Sequence, residues 1–169
     1  MPTDLLTLLQ RDHLDLQKEL TLLLDPAATV AELRGALDGV RLGLTAHAEA
    51  EDIVLGQLEA VRPLDVLIAQ ARAAHIAQEH ALSALVSTRP GSARWRERAC
   101  HLRDLIHQHA LQEEQGLLPA LRLHAPPEVY DALAGAFATE RLRQLAMMQP
   151  SAPFYVADVA DVALADACP

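Results

Sequence analysis

The sequence predicts an all-α protein: an up-down-up-down four-helix bundle followed by a short additional helix and an extended tail. Three observations point there. Leucine and alanine dominate a chain that is 51% hydrophobic but only 3% aromatic, which suits helix-on-helix packing better than a sheet rich in β-branched and aromatic residues. Apolar residues recur at steps of three and four along four long stretches. Pro26, Pro63 and Pro90 fall between those stretches rather than within them.

The first stretch, about Thr3 to Leu24, places Leu6, Leu9, His13, Leu16, Leu20 and Leu23 on one helical face. Thr3 or Asp4 can cap it, and Asp25-Pro26 ends it, because proline cannot continue the hydrogen-bond ladder and disfavours helix in the residue before it. The second, about Val30 to Val61, carries Leu33, Leu37, Val40, Leu44, His47, Glu51, Val54, Leu55 and Leu58. The third, about Leu64 to Ser87, runs Leu64, Ile68, Ala71, His75, Gln78, Glu79, Leu82 and Val86 before Arg89-Pro90-Gly91-Ser92 breaks it. The fourth, about Ala93 to Leu123, shows Leu102, Leu105, Ile106, His109, Glu113, Leu117 and Ala120. Long amphipathic helices joined by short turns make the bundle over residues 1–125. After Ala125-Pro126-Pro127 a flanking helix, about Glu128 to Met148, is expected to turn Val129, Leu133, Phe137, Leu142 and Leu145 inward. Residues 149–169, rich in proline and small residues, read as an extended or disordered tail.

Bulk numbers narrow the function. With 169 residues the chain can bury an ordinary core without staples, and its two cysteines, Cys100 and Cys168, form neither a disulfide framework nor a thiolate metal motif. A net charge of −9 offers no footprint for nucleic acid or an anionic membrane. The start has no basic leader and no apolar run approaches a membrane span, so a soluble, cytoplasmic protein is expected.

The chemistry is in the polar residues. His47 and Glu51 are four apart, so on a helix both point the same way, into the leucine stripe; His109 and Glu113 repeat this. Buried ionisable groups are costly unless paired or coordinating a metal. His13 and His75 lie within the stripes of the other two helices, so each of the four contributes a histidine to the interior. The spacing repeats: His13 to His47 and His75 to His109 are both 34 residues, and a shift of 62 also lays Leu20 on Leu82 and Leu23 on Leu85. The chain reads as a duplicated helical hairpin whose packing brings the two glutamates together with two histidines at each end. Imidazole with carboxylate suits iron, manganese or zinc, and a pair of bridging carboxylates is how helical bundles build dinuclear centres.

The runs Arg11-Asp12-His13, His47-Ala48-Glu49-Ala50-Glu51-Asp52, Ala74-His75 and His109 through Pro119 resemble the hemerythrin-like, HHE cation-binding domain. The position of Trp95 between His75 and His109 is similar to that in some bacterial members. The resemblance covers about residues 3 to 124. It implies that His13, His47, His75 and His109 are iron ligands, that Glu51 and Glu113 bridge, and that the cofactor is two iron ions, with an oxo or hydroxo bridge. Oxygen-carrying hemerythrins use five histidines with one glutamate and one aspartate. Four histidines and two glutamates therefore imply di-iron binding more directly than reversible oxygen transport.

Other readings stay in view. His80 competes with His75, on a weaker apolar stripe. His101, His107 and His124 read as solvated, and Cys100 as a small buried hydrophobe. Glu49 and Glu114 lie about 100° or more off the inward line, exposed or beside the site. Glu79 either orients an imidazole or is a surface acid. The leading function is a non-haem di-iron protein that binds or senses a small molecule such as oxygen or nitric oxide, or handles iron. An oxidoreductase acting on nitric oxide or peroxide or repairing iron–sulfur clusters is the first alternative, and a helical interaction module with a structural metal the second. The expected partner is a small diatomic ligand or peroxide; a second copy of the chain stays open.

Overall fold

A computed structural model describes residues 4–148. The expected tail, with Cys168, lies outside the described residues. These form α1 (Leu5–Leu23), α2 (Val30–Gly56), α3 (Leu64–Val86), α4 (Ala93–Gln112), a π-helical turn (Glu113–Leu117), α5 (Leu118–His124) and α6 (Pro127–Met148), with no strand among them. None of these helices is long and apolar enough to cross a membrane.

Local sequence sets the boundaries. Thr29 and Glu32 form a capping box at the start of α2, the threonine hydroxyl accepting from the Glu32 N–H and the glutamate accepting from the Thr29 N–H. Ser92 caps α4 by accepting from the Trp95 N–H. Asp4 occupies the cap of α1 without a side-chain cap bond; its carboxylate accepts from the Tyr130 hydroxyl at 3.0 Å instead. Helix α2 stops at Gly56, short of the expected Val61, and the chain descends through tight turns such as Val61 N–H to Leu58 C=O.

The expected fourth helix is interrupted. Pro119 has no N–H for the carbonyl of Gln115, and the ladder shifts to a wider turn in which the Leu118 N–H reaches the Glu113 carbonyl. Such π turns are rare and concentrate at functional sites; this one begins at a site residue.

Helices α1, α2, α3 and α4 pack in a ring, each against two others, while α6 lies along α2 and touches α1. Two apolar cores result. One gathers Leu9, Val54, Ile68, Leu117, Leu133 and Phe137; the other gathers Leu16, Leu44, Leu82, Leu85, Trp95 and Ile106. On every helix of the ring the site residues fall between the two cores, so the polar layer is sandwiched between dry ones. The register of α6 differs from expectation: Leu133 and Phe137 are buried, but Leu142 is 65% exposed and Gln144 is turned inward. The inward line after Phe137 passes through Arg141 and Gln144, because α6 faces a polar layer there rather than more core.

Candidate metal centre

All six sequence-predicted residues meet in that layer. His13, His47, Glu51, His75, His109 and Glu113 are each no more than 6% exposed. His80, the competitor of His75, is exposed, as are His101, His107 and His124. Cys100 is half-buried and apart from the site.

The histidines pair across the bundle. The rings of His13 and His47 lie 5.1 Å apart, and those of His75 and His109 4.6 Å. Each glutamate spans the two pairs. Glu51 Oε2 lies 3.5 Å from His47 Nε2 and 3.8 Å from His75 Nε2. Glu113 places its oxygens 3.1 Å from His13 Nε2 and 3.0 Å from His109 Nε2. Every glutamate thus reaches one histidine of its own hairpin, four residues back, and one of the other hairpin.

The outer nitrogens fix the tautomers. His13 donates its Nδ1–H to Glu114 Oε1 and His75 donates its Nδ1–H to Asp52 Oδ1, both at 2.9 Å. An ionised carboxylate can only accept, so in its neutral form each of these imidazoles turns an unprotonated Nε2 inward. Asp12 is the third outer carboxylate, 3.5 Å from His47 Nδ1, and it is paired with the Arg141 guanidinium of α6. Phe137 of α6 sets its ring edge-on to His47 at 5.9 Å. The orienting role considered for Glu79 belongs to Asp52; Glu79 is exposed.

The inward atoms satisfy one another at a single contact, the 3.0 Å hydrogen bond between His75 Nε2 and His109 Nε2. Among the described residues no hydrogen-bond partner exists for His13 Nε2, either nitrogen of His47, His109 Nδ1, or any carboxylate oxygen of Glu51 and Glu113. Converging lone pairs in a dry layer repel unless a cation lies between them. Two overlapping ligand groups are present, His47, Glu51, His75 and His109, and His13, His47 and Glu113, with the atoms of each within 4.8 Å of one another. Nitrogen with carboxylate oxygen suits a first-row divalent metal.

Without a cation the layer is electrostatically tense. Burial pushes Glu51 well above the usual carboxylate range, and the neighbouring Glu113 charge adds to the rise. Burial pulls Glu113 the same way, but the imidazoles of His109 and His13 outweigh it and hold it well below. Burial drives His47 down to about 4 against the pull of Asp12. Burial lowers His13 too, yet Glu113 and Glu114 raise it on balance. A carboxyl forced neutral beside one forced ionised marks a functional cluster.

Asp12, Asp52, Glu114, Phe137 and Arg141 belong to this site and were not singled out as such from sequence, apart from Glu114 beside it. A family model for the hemerythrin HHE cation-binding domain matches residues 4–121. No curated protein and no solved structure gives a match.

Proposed function

Because the chain belongs to the hemerythrin HHE cation-binding family, we propose that its buried layer holds two iron ions and that the protein binds or senses a neutral small molecule such as oxygen or nitric oxide. His13 and His47 would hold one ion and His75 and His109 the other, with Glu51 and Glu113 shared between them. The observation behind this reading is the crossing of the glutamates: each is within reach of a histidine from both pairs, as a carboxylate shared by two ions must be. The ring of α1 to α4 with its short connections supports an up-down-up-down order, and a cytoplasmic setting goes with the same proposal.

Held by these six side chains, a ferrous pair would supply the capacity to bind a diatomic or peroxide. What the chain itself contributes is legible around the layer. Asp52 and Glu114 hold two imidazoles in the tautomer that offers Nε2, Asp12 backs a third, and the leucine cores above and below exclude water.

The test is metal analysis with spectroscopy. Anaerobic loading should give two irons per chain, and admitting oxygen or nitric oxide should produce a visible absorption absent from the metal-free chain and from Glu51→Ala. Iron below one per chain, or no spectral change with either gas, overturns the reading. Consumption of nitric oxide or peroxide in excess of iron would assign turnover rather than binding.

A further inference from the structure

We propose that the groove between α2 and α3 is the path by which a divalent cation enters the layer, loading it at the His75 end. This rests on the metal-binding reading and concerns how the site is filled. The groove has a volume of about 130 Å³ and runs from solvent to His75, and Glu49, Asp52 and Glu79 put three carboxylates on its walls with no lysine or arginine among the lining residues. Carboxylates lining a cleft in a low-dielectric wall concentrate cations and turn anions away.

The second observation is Gln78. It lines the same groove, is 1% exposed, and among the described residues neither its amide oxygen nor its amide nitrogen has a partner. An orphaned buried amide is costly, and an apolar residue would pack there at no such cost. A neutral amide oxygen can replace part of the water shell of a hard cation without holding it as a carboxylate would, which is what a transit position requires.

The receiving end differs from the other in one imidazole. His75 and His13 are each held by a carboxylate at 2.9 Å, but His47 Nδ1 has Asp12 at 3.5 Å, whereas among the described residues His109 Nδ1 has neither a hydrogen-bond partner nor a carboxylate at ion-pair distance. A second small cavity, about 20 Å³, touches His109 and Glu113, but its walls are Leu67, Gln70, Ala71, Gln112 and Leu117, which add no charge to attract a cation.

The experiment is stopped-flow uptake of cobalt(II) by the chelator-stripped full chain, followed by visible absorption. Glu49→Gln with Glu79→Gln should slow uptake about tenfold at low ionic strength, and the difference should close at high salt. Final cobalt per chain should be unchanged. Gln78→Leu should slow uptake while melting at the same temperature or higher; Gln78→Met, of similar length, repeats the test should leucine not be accommodated. Wild-type rates in the acid double variant and in a folded Gln78 variant overturn the route alone, as does a loss of bound cobalt at saturation, which would make these residues ligands. A wild-type chain that takes up no cobalt overturns the metal reading and the route together.

Discussion

Asp52 and Glu114 stand 62 positions apart in equivalent places, for each follows one of the two buried glutamates and accepts, at 2.9 Å, the Nδ1–H of a histidine from the opposite hairpin. The duplication therefore includes the carboxylates that orient the inward histidines as well as the histidines themselves. Because outer acceptors of this kind set ligand tautomer and basicity, their loss costs about 10- to 100-fold in metal affinity. Asp52→Ala and Glu114→Ala should each weaken cobalt(II) binding within that range, and by similar factors, in chelator competition. Unchanged affinity in both would mean that these carboxylates only decorate the helices.

Removing a bridging carboxylate should separate stability from metal binding. Glu51 is buried with no hydrogen-bond partner among the described residues and is pushed toward its neutral form by burial and by Glu113. In the absence of a cation it is a liability. Glu51→Leu is expected to melt at or above the wild-type temperature when both are metal-free, and to lose the rise that the wild type shows on adding metal, since binding to the folded state alone stabilises it. A variant that still gained stability from metal would refute the bridging role.

The fold was legible because hydrophobic period and proline position are local signals, and the six inward residues because burial of His and Glu on a leucine stripe demands compensation. What escaped were features that depend on tertiary neighbours. Asp12 lies next to His13, off the leucine line, and its role appears only once α6 brings Arg141 to it. The π turn at Glu113 was foreshadowed by Pro119 alone, while an unbroken apolar pattern argued for continuing the helix. The exposed Leu142 broke the expected stripe because α6 faces a polar layer there. Asp52 and Glu114 could have been found from sequence by extending the 62-residue shift one position past each glutamate.

In the metal-free chain the stability that His47 contributes should be lost as pH falls from about 6.5 to about 4. Burial lowers the folded pKa of His47 from its ordinary 6.5 to about 4, so across that window the unfolded chain binds a proton that the folded chain refuses, and stability falls with pH. The contribution is about 3 kcal/mol, since a tenfold change in proton affinity corresponds to about 1.4 kcal/mol. His13 and Glu51, both raised, act in the opposite sense, so the relevant comparison is with His47→Gln. Denaturant midpoints at pH 7 and pH 5 should fall less in that variant than in the wild type. An equal fall would show that His47 is not the residue refusing the proton.

Helix α6 should matter to the metal although it supplies no ligand. Arg141 pairs with Asp12, and that contact, together with His47, lowers the Asp12 pKa against burial. Arg141→Met keeps the apolar stem but leaves Asp12 without its cation. Cobalt(II) affinity should drop severalfold, and the loss should vanish in an Asp12→Asn background, since coupling is expected only where the two share a contact. Additive effects of the two changes would mean that Arg141 acts elsewhere.

The duplication also shows where the site is unfinished. Asp12, shifted by 62, falls on Ala74, and the histidine it would back, His109, has among the described residues no counterpart of the carboxylate that stands 3.5 Å from His47 Nδ1. Ala74 is half-buried on α3, beside His75, as Asp12 is beside His13 on α1. A carboxylate placed there should reach His109 as Asp12 reaches His47, raising the basicity of the His109 ligand nitrogen. Ala74→Asp is expected to slow the release of one of the two cobalt ions to excess chelator about tenfold or more and leave the other unchanged. Equal slowing of both ions, or faster release of either, would contradict the two-ended arrangement of the histidine pairs.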